Sequence, residues 1–153
     1  MADGNGGGTP QLEALAQYVK DLSFENPNAP RSLGPQETPP NIGIQVNVNA
    51  KPMSPTEFEV ELILEGKAGE GENMLFSFEL NFAGVFRMEN IPENHQHQVL
   101  MIECPRLMFP FARAVLANAV RDGGFPPFLL QPIDFAQLYQ ARMAEMGQQP
   151  MNS

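Results

Sequence analysis

The chain has 153 residues, with 9 Lys and Arg against 18 Asp and Glu, so it carries a net charge of −9 at neutral pH, which argues against a nucleic-acid backbone as partner. That length suits one domain with a buried core; no run approaches the ~18–20 apolar residues of a membrane span, and the Gly-rich start lacks a signal peptide's basic and apolar regions. A single cysteine, Cys104, excludes a disulfide within the chain and fits a reducing compartment, so the expectation is a soluble, acidic, cytoplasmic domain.

Residues 1–10 (MADGNGGGTP) and 147–153 (GQQPMNS) have no core-forming pattern and read as tails around one domain spanning 11–146. GNGGG has the composition of a phosphate-binding loop, but no strand precedes it. Between residues 11 and 25, Leu12, Leu15, Val19 and Leu22 recur at helical spacing after Thr9-Pro10. In an extended chain Tyr18, Leu22 and Phe24 share one face instead, with Asp21, Ser23 and Glu25 opposite; pattern alone favours the helix. A Pro-rich stretch follows at 26–40, which excludes a central strand or a long helix.

Three segments then share period-two alternation: Ile42, Ile44, Val46, Val48; Phe58, Val60, Leu62, Leu64; and Phe76, Phe78, Leu80, Phe82. Turn formers separate them (KPMSPT, EGKAGEGEN), so an antiparallel sheet with one apolar and one acidic face is expected. After Pro110, FARAVLANAVRDGG places Phe111, Val115 and Ala119, with Ala112 and Leu116, at helical spacing, and Gly123 supplies a stop. GFPPFLLQP reads as an apolar loop. Asp134 and Gln137 make a capping box for a last helix over 135–146, whose apolar side holds Phe135, Leu138, Tyr139, Met143 and Met146. Strands first and helices later give an α+β fold.

Catalytic chemistry is harder to assemble. His95 and His97 are the only histidines and read as a solvated loop; no second Cys or His pair completes a metal set. Cys104 has no local activating base and reads as a buried small residue. Glu57, Glu59 and Glu61 fall on one strand face, where carboxylates are usually solvated rather than tuned for acid–base work. The residues point to no enzyme, no metal and no cofactor.

Charge and apolar content say more. Charged residues are 18% of the chain, below the ~25% usual for soluble domains, so apolar area is expected to be buried against another subunit or a ligand. Residues 1–104 hold fifteen acids and five bases, giving −10, whereas 105–153 hold three acids and four bases, giving +1. The first part should therefore attract a basic partner. Phe76, Phe78, Leu80 and Phe82, with Phe111 and Val115, are assigned to core and oligomer interface. The last helix beside the Pro-rich loop is expected to border an apolar groove, to which pattern assigns Leu33 and Phe135.

Together, YVKDLSFENPNAP (18–30), FELNFAGVF (78–86), CPRLMFPFARAVLANAVRDGGFPP (104–127) and LLQPIDFAQLY (129–139) resemble the SecB family of bacterial protein-export chaperones. The resemblance covers roughly residues 11–142. It implies a four-stranded antiparallel sheet followed by a long helix and a C-terminal helix, with 11–25 as a strand, assembled as a cytoplasmic homotetramer, a dimer of dimers. It further implies an ATP-independent holdase that binds unfolded secretory preproteins and delivers them to the SecA motor ATPase.

By the same resemblance, Asp21, Glu25 and Glu79 match acidic contacts for the motor's basic, zinc-bearing tail, with Ser77 at a neighbouring position that is leucine in other members. Ile42, Ile44 and Tyr139 match client-groove positions. Other members place a tryptophan in the crossover loop; here Thr38 stands nearby and the chain has no tryptophan. The alternatives are an oligomeric adaptor with one fixed partner, a small-ligand enzyme with an acidic pocket, and a toxin–antitoxin-linked chaperone of the same family.

Overall fold

Alternating apolar and polar residues build a four-stranded antiparallel sheet in the computed structural model of the chain, which describes residues 8–36 and 40–148. The strands are β1 (Gln11–Glu25), β2 (Ile42–Pro52), β3 (Glu57–Ala68) and β4 (Phe76–Glu89), in spatial order β1-β4-β3-β2. The first and last tail segments, 1–7 and 149–153, and Thr38 lie outside the described residues.

Residues 11–25 form a strand, not the helix that their spacing favours. Two register shifts, between Ala14 and Ala16 and between Val19 and Asp21, insert Leu15 and Lys20 as extra residues opposite β4. Each bulge resets the alternation, so a bent strand acquires apolar residues at nearly helical intervals. Leu15, Val19 and Leu22 also remain exposed, so no helical stripe faces the core.

A helical run follows β4: α1 (Glu93–Gln98), a π-helical turn (Val99–Glu103) and α2 (Cys104–Asp122). It starts well before Pro110, contrary to the expectation from sequence. The Cys104 N–H donates to the Val99 carbonyl five residues back, and this wider turn sits immediately before Pro105, whose ring has no N–H to give. Pro110 lies inside α2 on its exposed side. A last helix, α3 (Phe135–Gln148), extends two residues beyond its expected end, into the segment read as a tail. The Gln137 N–H donates to Asp134 Oδ1 at 3.0 Å, which is one half of the expected capping box.

Cys104, Met108, Ala112, Leu116 and Val120 recur every fourth residue, and all are at most 1% exposed. This stripe of α2 covers β3 and β4. The cover corrects one expectation: Phe76, Phe78, Leu80 and Phe82 are at most 5% exposed within a single chain, so they are protomer core rather than a surface for another subunit. Phe76 lies 5.6 Å from the Phe24 ring and 5.0 Å from Phe125. Of the helix residues assigned to the interface, Phe111 is exposed and Val115 half-buried.

At the end of α2 the chain approaches β1 so closely that a Cβ on Gly123 would lie 2.4 Å from the Phe24 ring. Gly124 then takes φ +99, and the chain reverses. Truncating Leu116 to alanine in this layer is expected to cost ~2–5 kcal/mol of stability, because the stacked helix and sheet cannot collapse around the void. Urea unfolding at fixed protein concentration checks this, and an unchanged midpoint would refute the packing described.

Candidate functional site

The loop after Gly124 forms one wall of an apolar groove. Residues 126–134 have no regular structure, and Pro126, Pro127 and Pro132 keep them out of helix. Phe128, Leu129, Leu130 and Ile133 from this segment face Ile42, Ile44 and Val46 of β2 across a groove of about 360 Å³. Leu129 remains 65% exposed, and the three β2 residues are half-buried. Apolar side chains held open at the surface favour an apolar ligand, because covering them removes area from water.

The residues expected in a client groove divide. Ile42 and Ile44 line the apolar groove just described. Tyr139 lies beyond its far end, in a cluster with Val48, Met101, Leu138 and Arg142. Its hydroxyl is 2.9 Å from His97 Nδ1, and the two rings are 5.4 Å apart. Leu33 is exposed, is not among the groove-lining residues, and packs over Gly124 at the end of α2. Phe135 is a correction: it is 1% exposed and edge-on to Phe109 at 6.2 Å, so it belongs to the core. The pattern identifies the right helix, but Phe135 is its buried position and not its rim.

Five groove residues, Val46, Phe128, Leu129, Leu130 and Ile133, have no groove role in the sequence pattern, although the apolar character of GFPPFLLQP is visible. Arg142 was missed entirely. Its Nη2 donates to the Val46 carbonyl at 3.1 Å, and also to Asn47 Oδ1. A lone arginine on a mostly apolar helix gives no local sign of an acceptor 96 residues away.

The opposite face of the sheet is polar and acidic. Register places Glu25 beside Ser77 and Ser23 beside Glu79, with Asp21 beside Asn81. On the other side of β4, Ser77 faces Lys67 and Glu79 faces Glu65. Directly paired residues share a face, so Asp21, Glu25, Ser77 and Glu79 are brought together on it. Ser77 and Glu79 line a depression of about 550 Å³, together with Gly43, Gln45, Glu65 and Lys67 on this side; Asp21 and Glu25 are not among its lining residues. Like charges at Glu65 and Glu79 work against the fold, which leaves this surface with a field that attracts cations.

Further along the same face the expectation of solvated glutamates fails. Glu59 is buried, and Glu61 is half-buried. Tyr18 Oη donates to Glu59 Oε2, and Lys20 Nζ donates to Glu59 Oε1 at 3.0 Å and to Glu61 Oε2 at 2.8 Å. Lys51 adds an ion pair to Glu59 at 3.5 Å. The bulge at Lys20 keeps its side chain on the face of its acidic partners. The Tyr18 hydroxyl, then the Lys20 ammonium, hold the Glu59 carboxyl below its ordinary value of 4.5, and Lys20 does the same for Glu61. A carboxylate held ionised in this way is a poor general acid.

Because the folded-state value is depressed, Glu59 contributes stability that is fully present above its ordinary value and is lost as pH falls through the lower folded one. Unfolding midpoints of Glu59→Gln should therefore fall less than those of the parent between about pH 6 and pH 3. Urea unfolding across that range checks this, and parallel losses in both proteins would refute it.

Cys104 is fully buried, and its thiol is pushed up to about 12 by burial and then by Glu103, so it is not an activated nucleophile. His95 and His97 lie on helix α1, not on a loop, and two residues apart on a helix they diverge. Among the described residues no three His, Cys, Asp or Glu side chains group as metal ligands would. No helix among them is long and apolar enough to cross a membrane.

The family model described as preprotein translocase subunit SecB matches residues 6–146. A protein-export protein SecB from Beijerinckia indica is 60% identical over 152 residues, covering 96% of this chain and 95% of that protein. The Methylocella silvestris protein of the same name is 59% identical, covering 96% of this chain and 94% of its own length. A SecB-like chaperone from Mycobacterium tuberculosis, solved in complex with a ChAD peptide from the HigA1 antitoxin, covers 80% of this chain and 90% of its own, with a TM-score of 0.62. At 13% identity that likeness shows a shared fold. The family match and the near-full-length identity with the two export proteins are decisive: the chain belongs to the SecB family of preprotein translocase subunits.

Proposed function

We propose that this chain is an ATP-independent holdase that binds unfolded secretory preproteins, keeps them competent for translocation and passes them to the SecA motor. Family membership and the protein-export names of its relatives support the export role. The observation that carries the holding step is the open apolar groove between β2 and residues 128–133. An unfolded chain exposes apolar segments that this groove can cover with little demand on sequence. Holding needs no group transfer, which accords with a buried, unactivated Cys104 and carboxylates locked in ion pairs.

The acidic face suits a basic tail of the motor, with Asp21, Glu25, Ser77 and Glu79 as contacts. Assembly as a dimer of dimers in the cytoplasm completes the reading. Leu15, Val19 and Leu22 on β1 and Leu107 and Phe111 on α2 are exposed in the single chain, and such apolar area supports burial against other copies. Several grooves on one tetramer would hold a long client by avidity while each contact stays weak.

Suppression of aggregation tests the holdase directly. The protein should protect several unrelated reduced, unfolded proteins and show no affinity for their folded forms. Protection of none, or of a single partner only, would favour a dedicated adaptor instead.

A further inference from the structure

Strand β2 lies at an edge of the sheet, so every second residue turns its backbone N–H and C=O away from β3. Phase follows from two contacts. The Asn41 carbonyl, just before β2, accepts the Gly69 N–H at 3.3 Å, so the odd-numbered residue faces the strand-pairing side. The Val46 carbonyl accepts from Arg142 of α3 at 3.1 Å, so the even-numbered residue faces the open side. Ile42 and Ile44 share the phase of Val46. They therefore present backbone donors and acceptors to the open edge, while their side chains line the apolar groove.

Outward N–H and C=O groups at every second residue, beside an apolar groove, fit one kind of occupant: an extended polypeptide segment adding a strand. That edge is interrupted at a defined place. Arg142 occupies the Val46 carbonyl and also holds the Asn47 side chain, and a guanidinium seated there excludes a strand continuing past it. The same contacts tie α3 to β2, and His97 ties α3 to α1 through Tyr139.

We infer that Arg142 is a positioning residue that ends the client-accessible edge of β2 at Ile44, so that an unfolded client pairs with Ile42 and Ile44 and is turned away from the sheet at Val46. The inference rests on the holdase reading and adds to it how a client segment is placed. Restricting backbone pairing to a short stretch keeps each contact weak and releasable, since one net hydrogen bond contributes only about 0.5–1.5 kcal/mol.

Residue-resolved hydrogen exchange on the full chain, with and without reduced, carboxymethylated α-lactalbumin as client, tests it. In the parent, client should slow exchange at the Ile44 amide and leave Val46 and Val48 unchanged. In Arg142→Met, which keeps an apolar stem and removes the donors, client-induced slowing should extend to the Val46 amide, about fivefold or more, and stop before the buried Val48. Arg142→Lys, which restores a donor to the Val46 carbonyl, should return the parent boundary. A merely structural role for Arg142 would loosen α3 without moving that boundary.

Client binding without protection at Ile44, or protection running through Val46 in the parent, overturns the inference and leaves the holdase reading intact. Those two results need only the parent, so they stand even if Arg142→Met folds poorly. Failure of the parent to suppress the aggregation of reduced α-lactalbumin would overturn both.

Discussion

Replacing Ile44 with aspartate is expected to weaken binding of a reduced, unfolded client by about tenfold to a hundredfold, with little loss of folding stability. Two effects add. The isoleucine contributes apolar area that a client covers, a term of roughly 1.5–3 kcal/mol for a side chain of this size. The carboxylate must also lose water when the groove fills, and no cation lines the groove to compensate it. Stability is spared because Ile44 is half-buried on an edge strand rather than under α2. Titration against a fluorescent, carboxymethylated client gives the affinity, and urea unfolding gives the control. An unchanged affinity would remove the β2–loop groove from client binding.

Reversing charge on the opposite face should have a comparable effect on a different partner. With Asp21→Lys and Glu79→Lys together, affinity for the isolated basic tail of the motor should fall more than tenfold, and client affinity should stay the same. Both carboxylates are exposed, so the interaction they offer is screened, and the loss should shrink as salt is raised. Glu65 faces Glu79 across the strands, and a lysine at 79 would pair with it, removing a second negative charge from the field. Calorimetric titration at two salt concentrations measures the effect. Equal affinity of parent and variant would place the motor contact elsewhere.

These two surfaces were legible in the sequence to different degrees. Strands β2, β3 and β4 follow period-two alternation closely, so their faces and the acidic side could be read directly. Strand β1 hid behind its bulges at Leu15 and Lys20, which break that period; only resemblance to a family pointed to a strand there. The start of the helical run was hidden by Pro105 and Pro110. Both normally end a helix, and the π-helical turn before Pro105 has no local signature.

Alternation also says that a face is apolar without saying what covers it. Alternation therefore leaves Phe76, Phe78, Leu80 and Phe82 open to another subunit, whereas α2 and the segment after it in the same chain bury them. The burial of Phe135 is hidden for a related reason: its cap, Asp134, is visible in the sequence, but the facing ring of Phe109 lies 26 residues earlier in a different helix. Contacts of this kind depend on tertiary distance, as do those of Arg142 with Val46 and His97 with Tyr139.

The charge network around Glu59 shows the same limit in electrostatic form. Three glutamates alternating along β3 look like a solvated face until Tyr18 and Lys20 arrive from β1, which is not adjacent to β3 in the sheet. Strand β4 lies between them, and its small side chain at Ala83 pairs with Tyr18 on one side and Glu61 on the other. That small residue leaves room for long side chains to reach across.

We propose that this chain assembles and holds unfolded protein on open apolar grooves. Native mass spectrometry of the pure protein, alone and with reduced, carboxymethylated α-lactalbumin, tests it most directly. A mass of about four chains is expected, rising on addition of the unfolded client and not with the folded, disulfide-intact form. A monomer, or an assembly that ignores the unfolded client, would contradict it.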